Sequence, residues 1–216
     1  NRPAAPRFQL LHQQLAALST RPLFSILLPI FNTPPPLLEA ALTSVCQQIY
    51  PTWELVIVDD GSTAADTVAT VAHWAERDPR IRLLRQPVNS NISQATNRAA
   101  AAAQGDYFVL LDHDDLLAPE ALAQAAIYVA DHPHCDWLYS DEDIIDLQGE
   151  RSSPRFKPDW SPEYLLAYCY IGHLVVLRAD LWRRLGGLRP GFEGAQDYDL
   201  FLRASEITAQ VGHLPQ

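Results

Sequence analysis

The sequence predicts an α/β domain built on an open, mostly parallel sheet with helices on both faces. Segments of strand length alternate with helix-period segments across residues 24–140, in the order β-α-β-α-β-α-β-α-β. The runs FSILLPI, ELVIV and YFVLL are apolar without alternation, as expected of strands buried between two helical layers. Two of these runs lead straight into carboxylates, Asp59-Asp60 and Asp112/Asp114/Asp115. Sheets of this kind bind ligands outside the carboxyl ends of their strands. Asn32, Asp59, Asp60, Asp112 and Asp114 are therefore expected to converge on one crevice.

The elements follow in order. Residues 1 to about 20 carry Phe8, Leu10, Leu11, Leu15 and Leu18 in a pattern that suggests a short amphipathic helix. Residues 1–22 read as a helical extension or linker, and 23–216 as the main domain. A strand over 24–32 ends at Pro29 and a polar turn, and Pro34, Pro35 and Pro36 preset the next helix start. Helix 37–48 places Leu38, Ala41, Leu42 and Val45 on one face. Strand 53–62 ends in two aspartates and Gly61. Helix 63–77, strand 81–85 and the alanine-rich helix 94–104, stopped by Gly105, come next. Strand 107–111, helix 119–131 and strand 137–140 complete the alternation. Residues 150–162, rich in Pro, Arg and Ser, read as irregular. A helix over 164–170, a strand over 174–178, a helix over 179–185 closed by Gly186 and Gly187, and a helix over 198–205 follow.

Composition narrows the function. The 216 residues are 48% hydrophobic and 19% charged, with a formal net charge of −10. That balance argues against nucleic acid or anionic lipid as the main partner and leaves room for a phosphorylated ligand held locally. Cys46, Cys135 and Cys169 form neither a C-x-x-C nor a disulfide framework, which suits a reducing compartment. No apolar run reaches membrane-spanning length. The chain starts at Asn1, lacks methionine and stops after a strand-like stretch has begun, so it reads as a piece of a longer protein.

Four constellations carry chemistry. Asp59-Asp60-Gly61-Ser62 can accept hydrogen bonds from a nucleoside, or it can be an Asp-Gly turn capped by Ser62. Asp112-His113-Asp114 can hold a hard divalent cation. Capping the next helix needs one aspartate rather than three, so Asp112 and Asp114 are assigned to metal and Asp115 to the cap, with His113 turned away. Asp141-Glu142-Asp143 and Asp146 read first as a solvated loop that could flank the crevice. Asp197, after Gln196, opens a late helix, where a carboxylate is an N-cap or a catalytic group. His173, in YIGHLVVL, reads as structural.

In this order, the strings SILLPIFN, QQIYPTWELVIVDDGS, NSNISQATNRAAAAAQGDYFVLLDHDD and GFEGAQDYDLFLR resemble family 2 glycosyltransferases of the GT-A fold. LYSDEDIID, RFKPDWSPEYLL and YIGHLVVLR resemble the branch that builds bacterial surface polysaccharides such as O-antigens, in multidomain chains. The resemblance implies an inverting transfer from a UDP-, dTDP- or GDP-linked sugar to a glycan or lipid-linked glycan hydroxyl. It would take place in the cytoplasm or at the inner face of the membrane. It implies nucleotide contacts at Pro29, Phe31, Asn32, Asp59, Asp60 and Asn97, with Mn²⁺ or Mg²⁺ on Asp112 and Asp114. It makes Asp197 the base, with His113, Asp141, Glu142, His173 and Gln196 toward the acceptor or donor sugar. Two features depart from the pattern: Asn89-Ser90-Asn91 replaces a glycine-containing loop, and a closing segment expected beyond Pro215 is absent.

Three rivals stand beside this reading. A sugar-nucleotide nucleotidyltransferase would need a glycine-rich basic loop where FNTPPP stands. A receiver-type signalling domain would need a lysine late in the sheet, whereas Lys157 falls in the Pro-rich stretch. A silent nucleotide-sugar-binding module would have no use for Asp197 beside the D-x-D.

Overall fold

The computed structural model describes residues 5–215. Its main sheet runs through β1 (Phe24–Ile30), β2 (Trp53–Asp59), β3 (Ile81–Arg85), β4 (Tyr107–Leu110), β5 (Trp137–Ser140), β8 (Val175–Arg178) and β9 (Val211–Leu214). Their order in space is β3-β2-β1-β4-β8-β5-β9. β1 pairs in parallel with β2 and with β4, and β5 with β9. β8 alone runs antiparallel, between β4 and β5. The chain progresses outward from β1 to β3, then returns to the other side of β1 as β4. That reversal leaves a crevice above the carboxyl ends of β1 and β4.

The central strands are buried on both faces, which explains their unbroken apolar runs. In β1, Phe24, Ile26, Leu28 and Ile30 enter one core and Leu27 the other. In β2, Trp53, Leu55 and Ile57 share the first core, Val56 and Val58 the second. This is the period-two alternation of a strand with helices on either side. The first core is covered by α2 (Pro35–Cys46), α3 (Ala65–Arg77) and α5 (Ala121–Asp131), through Leu38, Leu42, Val71, Leu122 and Val129. Leu11 and Leu15 of α1 (Ala5–Ala17) join the same core. The second is covered by α4 (Ile92–Ala102), α6 (Pro162–Ala167), α7 (Ala179–Leu185) and α8 (Gln196–Ile207), through Ala95, Ala99, Leu165, Leu181, Trp182, Leu200 and Phe201.

Several boundaries differ from the sequence expectation, each for a local reason. Where irregular chain was expected, β7 (Arg151–Arg155) forms a hairpin with β6 (Glu142–Ile145). All of β7 is exposed and it contains Pro154, so it carries no apolar signal and tolerates proline as an edge strand. Ion pairs join Arg151 to Asp143 at 2.6 Å and Arg155 to Glu142 at 3.2 Å. Helix α5 starts at Ala121 behind an N-cap at Glu120, so Asp115 does not cap it. Helix α8 starts at Gln196 behind Ala195, which puts Asp197 inside the first turn instead of at the cap. Among the described residues, no helix is long and apolar enough to cross a membrane.

Candidate active site

The β1–α2 and β2–α3 turns are tied into one unit. Asn32, at φ 49°, has the left-handed backbone that asparagine tolerates. Its Oδ1 accepts from the N–H groups of Thr63 (2.8 Å) and Ala64 (2.9 Å), and its own N–H donates to Ser62 Oγ at 2.9 Å. Asp59 accepts from the Ser62 N–H at 3.0 Å and lies 3.9 Å from Arg85. Asp60 is buried. Its Oδ1 accepts from Gln86 Nε2 (2.6 Å), Ser90 Oγ (2.7 Å) and the Ser90 N–H (2.9 Å). The Asn89-Ser90-Asn91 loop is thus folded onto Asp60. Gly61 permits this approach: at φ 80°, its Cβ would lie 2.7 Å from the Val88 carbonyl carbon. Pro29 lines the crevice, and Phe31 is exposed. Asn97 exchanges hydrogen bonds with the N–H (2.8 Å) and carbonyl (2.7 Å) of Leu188, which lines the crevice. It fixes the turn after α7 to α4.

The acidic group lies where β4 ends. His173 arrives there because β8 is reversed, so the residues before Val175 reach the same edge as the end of β4. His173 Nε2 is 3.6 Å from both Asp112 Oδ2 and Asp115 Oδ2. Ligand atoms from these three residues lie within 4.8 Å of one another. Two carboxylates and an imidazole form a donor set that fits a divalent cation. Asp114 is not in this group of three, and its Oδ1 lies 3.7 Å from His113 Nδ1. Burial, aided by Asp112, Asp114 and Glu142, raises the Asp115 carboxyl above its usual range, with His173 opposing.

Opposite stands Asp197, lining the crevice with Asp112, His173 and Gln196. Burial first, then the charge of Asp112, pushes its carboxyl up to about 6, while His173 opposes. These effects outweigh the roughly 0.3–1 kcal/mol by which a helix N-terminus favours a carboxylate. The position of α8 is set by packing. Phe201 stacks on Trp137 at 5.5 Å between centroids, and Tyr198 Oη donates to the Leu165 carbonyl at 2.6 Å. Two residues on, buried Asp199 is held by Arg189 and, at 2.8 Å, by Arg203. Gln196 Oε1 accepts from the Gly194 N–H at 2.6 Å.

The remaining acidic residues are engaged in structure. Asp141 Oδ1 accepts from the Lys157 N–H at 2.8 Å and lies 2.9 Å from His213 Nε2. Glu142 meets Arg155, Lys157 and the His173 N–H. The fold therefore brings Pro29, Asp112, His173, Gln196 and Asp197 together around one crevice, with Asp60 on the adjoining turn. Asp114, Asp115, Asp141 and Glu142 line an adjoining pocket that shares Leu110, Leu111 and His173 with the crevice, while Asn97 is bonded to Leu188 of the crevice lining. Gln86, Ser90, Asp115 as a neighbour of His173, and Lys157 escape a reading by sequence. Only the Asp199–Arg203 pair, at i and i+4 on a helix, carried a local signal.

Residues 25–186 match the family described as glycosyl transferase family 2. The chain belongs to that family. The O-antigen biosynthesis protein RfbC of Myxococcus xanthus is 42% identical over 204 residues, covering 94% of this chain and 16% of RfbC. This glycosyltransferase domain therefore spans about a sixth of that relative. The mannosyltransferase PcManGT of Pyrobaculum calidifontis, solved with GDP-Man and Mn²⁺, superimposes with a TM-score of 0.71 at 23% identity, over 98% of this chain and 62% of that one. TarS of S. aureus (residues 1–349), solved with UDP-GlcNAc, superimposes with a TM-score of 0.74 at 24% identity, over 88% and 55%. Both likenesses establish the GT-A fold.

Proposed function

We propose that this domain transfers a sugar, with inversion, from a nucleoside-diphosphate donor to a hydroxyl of a bacterial surface polysaccharide or its lipid-linked precursor, at the inner face of the membrane. The observation that carries the proposal is Asp197, a carboxyl raised to about 6 and facing Asp112 and His173 across the crevice. A base is most effective when its pKa lies near working pH, and burial with the charge of Asp112 raises the metal-free Asp197 carboxyl in that direction. The relative named for O-antigen biosynthesis supports the acceptor class, and the nucleotide-sugars bound by PcManGT and TarS support the donor class.

In this reading the turns at Pro29–Asn32 and Asp59–Ser62, with Ser90 behind Asp60, form the nucleoside wall. Asp112, Asp115 and His173 would hold Mn²⁺ or Mg²⁺, and the bound cation would supply positive charge for the diphosphate leaving group. Asp197 takes the proton from the acceptor hydroxyl while that oxygen attacks the anomeric carbon from the opposite face. The bond to the diphosphate breaks with its electron pair, and the crevice holds both partners in line.

A thermal-shift panel of UDP, GDP, dTDP and CDP, each with and without Mn²⁺, tests donor binding. One nucleotide should stabilise the domain more in Mn²⁺ than without it. No shift with any of the four refutes the donor assignment. Asp197→Asn should abolish transfer and keep that shift. Asp115→Ala and Asp114→Ala separate the geometric from the sequence-based ligand set, and the geometry predicts the larger loss of Mn²⁺ dependence for Asp115→Ala.

A further inference from the structure

Lys157 is the single lysine in the chain, and 4% of its side chain is exposed. It follows β7, well removed in sequence from every proposed site residue except Asp141, Glu142 and His173. Its ammonium donates to Glu142 Oε2 at 3.1 Å, the Ile171 carbonyl at 2.5 Å and the His173 carbonyl at 2.7 Å. An ammonium has three donors and no acceptor, so this set is complete. Glu142 Oε2 also accepts the His173 N–H at 2.7 Å. The main chain of His173 is therefore gripped on both sides, its N–H by Glu142 and its carbonyl by Lys157.

The segment between is fitted to the same carboxylate. Gly172 has φ 52°, and a Cβ there would collide with Glu142. The Lys157 N–H is itself anchored, donating to Asp141 Oδ1 at 2.8 Å. Burial holds the Lys157 pKa below its ordinary value, against the pull of Glu142. A buried pair of this kind adds little stability over apolar residues of the same volume. What it supplies is a fixed geometry, and the ring carried by that fixed main chain is the one that meets Asp112 and Asp115.

We propose that Lys157 is a positioning residue that, through Glu142 and the 171–173 main chain, holds the His173 ring in place as a metal ligand with Asp112 and Asp115. The proposal rests on the metal reading of those three residues. The partners that orient a metal ligand typically change metal affinity by about 10–100-fold when removed.

The test uses the whole chain. Mn²⁺ affinity is read from the free-ion EPR signal, and folding from circular dichroism and Tm without metal. Lys157→Met should weaken Mn²⁺ binding about 10–100-fold. It should leave metal-free thermal shifts with UDP, GDP, dTDP and CDP unchanged. Lys157→Arg should not rescue, because a planar guanidinium cannot place three donors in the space of an ammonium. Asp112→Asn is the control. If it leaves Mn²⁺ affinity intact, the metal reading fails and takes this proposal with it. If it weakens binding while folded Lys157→Met binds Mn²⁺ like wild type, only the Lys157 assignment is overturned. Full rescue by Lys157→Arg would reduce the role to charge balance. Failure of both Lys157 variants to fold would make the residue a folding element and overturn the positioning role.

Discussion

At neutral pH the charge on Asp197 sits where burial and Asp112 both oppose it. With a folded value of about 6 against an ordinary 3.8, the folded state binds this proton more tightly than the unfolded chain does. The stability contributed by the protonated form is complete below about pH 4 and is lost as pH rises through about 6. Asp197→Asn should therefore stabilise the metal-free domain on the order of 2 kcal/mol near pH 7.5, and by almost nothing near pH 4. Urea denaturation at the two pH values checks this, and an equal gain at both would show that the charge is not the cause. Gly61→Ala belongs to the same scale. Its left-handed backbone and the Val88 contact predict a loss of about 2–3 kcal/mol, with weaker nucleotide binding as the Ser90 loop is displaced. Asp60, Asp112 and Asp197 could be picked from the sequence because each ends a strand or opens a helix. The pairing of Asp60 with Ser90, and of His173 with Asp112 and Asp115, could not, since each meeting depends on how separate turns are brought together. For the same reason, the choice between Asp114 and Asp115 needs coordinates.

Among the elements, α8 carries the proposed base, and its seat is specific. Asp199 is almost fully buried and held by Arg189 and Arg203, while Phe201 lies on Trp137. Asp199→Ala leaves the half-buried Arg203 without its carboxylate. It should cost about 2–3 kcal/mol and lower transfer by tilting Asp197. Urea midpoints and kcat report the two effects separately. Strands β1, β2, β4 and β5 were legible within a residue or two at their starts because burial on both faces demands unbroken apolar runs. The hairpin β6–β7 was invisible because its strands face solvent and are held by charge pairs. The reversed direction of β8 was equally hidden, since VVLR would read the same in either orientation.

For the whole molecule, one sheet separates two cores, and α1 completes the first of them. Leu11 and Leu15 are each 8% exposed and pack with the α5 residues of that core. Replacing either with Ala should cost about 2 kcal/mol, and the double replacement about twice that if the sites act independently. Thermal melts would show it, and an unchanged Tm would make α1 an accessory. The strand order also has a consequence for synthesis. β8 is inserted between β4 and β5, both of which leave the ribosome before it. Until residues 175–178 arrive, Tyr107–Leu110 and Trp137–Ser140 each lack the partner strand that will cover one edge. At about 5–20 residues per second that interval lasts several seconds. A nascent chain halted in that window should aggregate more readily than the full domain, because those edges are still open.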